Sequence, residues 1–204
     1  MKERPILMCG EMVRATLDDL KFQTRRIMKP QPSADWSPHS YGEVHKMKDG
    51  AFVMHKGAPV CIGWGPTDCM GEEAYACPYG QPADRLWVRE TFCVCPKCDC
   101  FLGYRANQEL PAVCEFCGQM NRIKWKPSLF MPRSASRLTL EIESVRVERL
   151  QDISGKDCIA EGVLGHGGDE SRAKTEYMLL WESINGKGSW ALNPWVWVIE
   201  FKKL

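Results

Sequence analysis

The sequence predicts an α+β protein, a small β-barrel dressed with helices and interrupted by two insertions, and three observations carry that prediction. Helical and strand periodicities follow one another in the order helix, strands, helix, helix, strand. The stretch "PWVWVIEFKKL" is apolar on both faces for most of its length, as a strand in the middle of a sheet or barrel wall must be. Two stretches, 31–81 and 93–125, break the periodic pattern, so the 204 residues read as one domain, 1–204, with both insertions inside it.

Glu11 to Leu20 reads as a short amphipathic helix, because Met12, Val13, Thr16, Leu17 and Leu20 recur on one face. From Pro30 to Pro82 the pattern dissolves into Pro, Gly, Ser, His and Met, a long insertion with room for short hairpins. Order returns at "DRLWVRETF", where Leu86 and Val88 point one way and Trp87 and Arg89 the other. The cysteine-rich insertion follows, and "SRLTLEIESVRVERL" then resumes the sheet. Its apolar parity moves from Leu138, Leu140 and Ile142 to Val145 and Val147, which predicts a bulge or sharp bend near Ser144. In "DISGKDCIAEG" Ser154 is an N-cap, Asp157 completes a capping box and Gly162 stops the helix. A last helix covers about Glu170 to Ile184, with Ala173, Tyr177, Leu180, Trp181 and Ile184 as its apolar stripe.

Composition excludes several classes of function. Lys plus Arg number 27 against 26 Asp plus Glu, a net charge of +1, so any attraction for nucleic acid comes from a local patch and not from the whole surface. The longest apolar run near the start, Ile6 to Cys9, is far below the roughly 7 to 15 residues of a signal peptide's core, nothing approaches the roughly 20 of a membrane span, and the expectation is a soluble cytoplasmic protein without membrane partners. Eleven cysteines, an odd number without a secretion signal, favour metal ligands and free thiols over a disulfide framework.

The insertion at 93–125 carries the most specific motif. Cys95-x-x-Cys98 and Cys114-x-x-Cys117 are separated by 15 residues, the arrangement in which two knuckles present four thiolates to a tetrahedral zinc ion. An all-cysteine set leaves no corner for water, so the expected Zn2+ is structural, holding together a zinc ribbon-like segment too small for its own core. Cys93 and Cys100 flank the first knuckle as alternative ligands. Cys61, Cys69 and Cys77, with His39, His45 and His55, match no ligand spacing and are expected to be ordinary side chains.

The second concentration of chemistry is "KFQTRR", with Lys21, Thr24, Arg25 and Arg26 in six residues after the first helix. A lysine there is explained by the helix dipole, and the arginines by solvated strand positions. Their mutual repulsion makes an anion or polar ligand among them the sharper expectation.

These residues resemble the signature of ASCH domains, a branch of the PUA-like β-barrels, whose motif is G-x-K-x-x-E-x-R. Lys21 and Arg26 stand at the motif's lysine and arginine, Asp19 replaces its glycine and Thr24 its glutamate. "ADRLWVRET" is similar to the family's GD-x-L-x-V strand, with Ala83 for glycine, and "WVIEFKKL" to the closing strand of a small bacterial member that hydrolyses N4-acetylcytidine. The chain also looks like phage and prophage members, over roughly residues 1–30, 82–92 and 126–204.

The resemblance implies three functions. In the first, the barrel binds RNA or a modified nucleotide, with Lys21, Arg25, Arg26 and Arg89 meeting phosphates and Trp87 stacking on a base, although the plainer role of Trp87 is a half-buried sheet residue. In the second, it is an amidohydrolase of N4-acylated cytidines. Neutral Lys21, its pKa lowered by Arg25 and Arg26, takes the Thr24 proton as the hydroxyl attacks the amide, and Glu161 protonates the leaving amine. Arg26 is then the candidate oxyanion donor. In the third, the barrel is a scaffold for phage assembly or host interaction.

Overall fold

The computed structural model describes residues 1–32, 76–107, 113–118, 124–163 and 169–204, together with the backbone of short strands at 45–46, 52–55 and 72–75. The protein is α+β. Five strands form the main sheet in the order β1-β6-β10-β11-β2: β1 (Glu3–Leu7), β2 (Gln23–Ile27), β6 (Arg85–Arg89), β10 (Thr139–Arg149) and β11 (Trp195–Lys203). β1 runs parallel to β6, and the other neighbours are antiparallel. No closed barrel is found among the described residues: no ladder joins β1 to β2, and the two edges are linked by the Arg26 guanidinium, which donates to the Leu7 carbonyl at 2.6 Å.

β11 lies in the interior of this sheet, as its two-sided apolar pattern predicts. Trp195, Trp197, Ile199 and Phe201 join Ile6, Leu86, Leu140 and Val145 in the main core, while Val196 and Val198 face a second core under the helices. The change of parity in β10 is a register shift between Ile142 and Ser144, which lets Ile142 and Val145 follow Phe201 and Ile199 on the same face.

Helix α1 (Gly10–Leu17) is shorter than its periodicity suggests. Asp19 turns into the left-handed region at φ 55°, so Leu20 leaves the helix and is exposed. Helix α2 (Gly155–Ala160) has both hydrogen bonds of the Ser154/Asp157 capping box, and Gly162 follows at φ 88°. A β-carbon at Gly162 would come within 2.8 Å of the Ala15 side chain and 3.2 Å of Lys21, so a bare backbone is needed for α2 to approach the α1–β2 turn. Helix α3 (Glu170–Asn185), capped by the Asp169 carboxylate, buries Ala173, Tyr177 and Trp181, with Leu180 half-buried and Ile184 exposed.

Each insertion carries a small three-stranded sheet. The first consists of β3 (His45–Lys46), β4 (Phe52–His55) and β5 (Glu72–Tyr75). The second has the order β8-β7-β9, from β7 (Phe92–Val94), β8 (Phe101–Tyr104) and β9 (Lys124–Lys126). Arg137 ties it to the main body, donating to Glu90 at 2.8 and 3.0 Å and to the Asn107 side chain at 2.7 Å. No helix among the described residues is long and apolar enough to cross a membrane.

Candidate functional site

Alternation along β2 sends its side chains to two different places. Arg25 is opposite Val198 and so faces the second core, with α2 and α3; Thr24 is opposite Ile199 and so faces the main core. Lys21, just before the strand, forms an isolated bridge with Glu161 at the end of α2. This bridge delivers both side chains to one buried spot.

Lys21 is 2% exposed and Glu161 2%. The Lys21 ammonium donates to Glu161 Oε2 at 2.6 Å, to the Glu161 carbonyl at 2.8 Å and to the Gln23 carbonyl at 2.7 Å, which satisfies all three of its protons. Arg25, also buried, reaches Glu161 Oε1 at 3.4 Å, Glu148 at 3.0 Å and Asp157 at 3.4 Å. Arg146 extends the network to Glu148, Asp157 and Glu200. The Tyr177 hydroxyl donates to Glu161 Oε1 at 3.5 Å.

Lys21 and Arg25 therefore have their counter-charges inside the chain, in place of the anion or polar ligand expected among them. The sequence could not supply this, because the three carboxylates stand more than 120 positions away. The cause of the shift at Lys21 is also corrected. Burial is what chiefly lowers the Lys21 pKa, Glu161 opposes it, and the Arg26 charge adds a smaller push downward. Burial next to Glu161 holds the Tyr177 phenol well above its ordinary pKa, so it is a hydrogen-bond donor at neutral pH.

A cavity of about 300 Å³ opens beside this network, lined by Arg25, Arg26, Glu161, Tyr177, Trp181 and the rim residue Lys29, among others. Three of these side chains carry donors with no hydrogen-bond partner among the described residues: Trp181 Nε1, Arg25 Nε and Arg26 Nε. Tyr177 and Trp181 come from the last helix and were not foreseen as site residues; the signal was an aromatic pair at i, i+4 on the apolar stripe, which also reads as plain core. Thr24 is not among the lining residues; the residue is 1% exposed, and its buried hydroxyl likewise has no hydrogen-bond partner among the described residues. The structure does not bring Trp87 and Arg89 here. Both lie on β6, with the Arg89 guanidinium 4.5 Å from the Trp87 ring and the ring buried in the sheet.

The knuckle cysteines do converge. Cys95, Cys98, Cys100 and Cys114 place their sulfurs within 4.8 Å of one another, and Cys117 lies 3.6 Å from Cys95. Cys100 thus joins the cluster, whereas Cys93 lies on β7 between Gly103 of β8 and Trp125 of β9 and is sealed from solvent. Tetrahedral zinc with Zn–S of about 2.3 Å needs sulfurs about 3.8 Å apart, and an all-sulfur set without carboxylate or imidazole fits that ion. The Cys100 thiol, with the Cys117 and Phe116 backbone N–H groups, holds the Cys114 thiol down to about 6, toward the thiolate a metal requires. Of the other cysteines and histidines noted in the sequence, burial pushes Cys77 up to about 11; Cys61, Cys69 and His39 lie outside the described residues, as do the side chains of His45 and His55.

Compared with family models, curated proteins and solved structures, the chain matches none.

Proposed function

We propose that the cavity beside Lys21 and Glu161 binds RNA through one base or a modified nucleotide, on a PUA-like barrel of the ASCH type whose second insertion is held by structural zinc. The observation that carries this reading is the set of unspent donors, Trp181 Nε1, Arg25 Nε and Arg26 Nε, on side chains lining a cavity that also holds a carboxylate. Carbonyl oxygens and ring nitrogens of a base accept from such donors, and Glu161 accepts from an exocyclic amine. Lys21 and Arg25 are already neutralised, so they fix the carboxylate in place, and Lys29, with the part of the Arg26 guanidinium not bonded to the Leu7 carbonyl, is left to meet phosphate or sugar. Two glycines of the family pattern support the alignment: Asp19 and Ala83, which replace them, both adopt positive φ, at 55° and 71°. The test is titration of the protein with cytidine, N4-acetylcytidine and their 5′-monophosphates. Binding weakened about tenfold or more by Arg26→Ala supports the reading; no binding of any of the four rejects it.

Amidohydrolysis is the second reading, favoured by the partnerless Thr24 hydroxyl three residues from a lysine whose burial lowers its pKa. Thr24 faces the main core, so its attack on a bound amide requires the substrate to pass the β2 edge. Release of acetate from N4-acetylcytidine, abolished in Thr24→Ala while binding persists, is the result this reading requires. A scaffold role predicts neither binding nor turnover.

A further inference from the structure

The cavity beside Glu161 does not stand alone. It shares Leu180 and Ile184 of α3 with a second cavity of about 600 Å³, lined by Arg14 of α1 and by Arg105 and Trp125 of the cysteine-bearing insertion. Trp125 in turn also lines a third cavity, of about 850 Å³, against the small sheet, together with Phe101, Tyr104, Lys124 and Phe130. Three hollows thus follow one another from the buried carboxylate, across the outer turn of α3, onto the insertion.

The side chains along this path have the chemistry of a single-strand track. Arg26 and Lys29 stand at the first cavity, Arg14 and Arg105 at the second, Lys124 and Lys126 at the third. Aromatic faces alternate with them. Phe101 and Phe130 are exposed, the Phe101 and Tyr104 rings are 4.7 Å apart, and the Arg105 guanidinium is 5.9 Å from the Trp125 ring. Of the acids on the path, Glu90 is ion-paired to Arg137 and Asp99 to Lys126, and exposed Glu11 also lines the second cavity, so the cations that set the track's charge are Arg26, Lys29, Arg14, Arg105 and Lys124. Interleaved cations and exposed rings grip unpaired nucleotides, the cations following the phosphates and the rings stacking on bases whatever their identity. A free nucleoside would use the first cavity alone.

We infer that the substrate or ligand is a single-stranded RNA, one base of which enters the Glu161 cavity while the flanking nucleotides run over Arg105 and Trp125 to the Phe101/Phe130 face. This deepens the nucleotide-binding reading and rests on it. It also gives the cysteine cluster a purpose beyond stability, since the metal would fix the sheet that carries half of the track.

The experiment compares a fluorescein-labelled cytidine-rich RNA of about 12 nucleotides with cytidine monophosphate, a DNA of the same sequence and an RNA duplex. Full-length protein of measured zinc content is used throughout. The single-stranded RNA is expected to bind at least tenfold more tightly than the monophosphate and the duplex, with affinity falling as salt rises. Trp125→Ala is expected to weaken RNA binding roughly five- to a hundredfold and to leave the monophosphate unchanged. Arg105→Glu and Lys124→Glu change exposed residues and serve if Trp125→Ala does not fold. Equal affinity for the 12-mer and the monophosphate overturns the track while the cavity reading survives. RNA binding that needs Arg105 and Lys124 but ignores Arg26→Ala overturns the entry of a base into the Glu161 cavity, and with it the inference as stated. Equal binding of the DNA or the duplex overturns the assignment to single-stranded RNA.

Discussion

The ammonium of Lys21 and the carboxylate of Glu161 meet at 2.6 Å although 140 positions separate them, with the lysine side chain fully buried and the glutamate all but buried at the cavity wall. Removing one member strands the other. Glu161→Ala is therefore expected to destabilise the protein by about 3 to 5 kcal/mol, leaving Lys21 without its charged partner and Arg25 one carboxylate short. Urea unfolding measures the loss. The pair Lys21→Met with Glu161→Leu is expected to recover at least half of it, since the cost arises from an uncompensated buried charge rather than from the absence of an ion pair.

Ala83 offers a gain in stability. At φ 71° its side chain occupies a backbone conformation that costs a non-glycine residue about 1–2 kcal/mol. Glycine removes that strain and gives back part of the benefit as extra freedom in the unfolded chain, so Ala83→Gly is expected to stabilise by about 0.5 kcal/mol. Asp19→Gly is expected to be close to neutral, because Asp19 tolerates the left-handed region and its ion pair with Lys203 is exposed at the aspartate end. Thermal midpoints of the two variants separate these outcomes.

Asp84 predicts a dependence on acid. Burial alone would raise its pKa, but the Lys2 N–H at 2.7 Å, the Arg4 guanidinium at 2.8 Å and the Gln81 N–H hold it below the ordinary carboxylate value. A depressed pKa in the folded state contributes stability that is complete above the unfolded value near 3.9 and is lost as pH falls through the folded one. Asp84→Asn is therefore expected to unfold more easily than the parent at pH 7, by about 1–3 kcal/mol, and the gap is expected to narrow as pH falls from the unfolded carboxylate value through the lower folded one.

Five thiols surround a centre with four corners. Cys95, Cys98 and Cys114 belong both to the paired-knuckle motif and to the observed cluster, while Cys100 and Cys117 compete for the last corner. Replacing Cys95 or Cys114 by Ser is expected to abolish stoichiometric zinc. Cys100→Ser and Cys117→Ser are each expected to keep it, and the double variant to lose it. Metal analysis of the purified variants decides the matter.

What could be read from the sequence is what local chemistry encodes. The capping box at Ser154, the bend at Ser144 and the two-sided strand at 195–203 each follow from residues a few positions apart, and the structure has all three; of the knuckle quartet it gathers Cys95, Cys98 and Cys114, with Cys100 as the fourth member of the cluster. The strand Glu3–Leu7 escaped notice because Pro5 and a single buried position, Ile6, leave no alternation to see; its partner β6 lies some 80 residues on and runs parallel. α1 ends three residues before its periodicity does, since Leu20 keeps the helical spacing while Asp19 breaks the backbone. In the site, Lys21 and Glu161 were paired through a family likeness, not through spacing. The counter-ions of Arg25 and the aromatic wall from α3 were illegible because they are made by tertiary approach alone.

The strand order carries a consequence for how the molecule comes to exist. β2, complete by residue 27, finds its partner only at 195–203, and β1 waits for β6. During synthesis Lys21 and Arg25 are thus hydrated cations on an unpaired segment long before any carboxylate can reach them. Closing such long loops is slow, so the nascent N-terminal third is expected to lean on chaperones until β11 slots between β10 and β2 and drives those charges out of water in one late step.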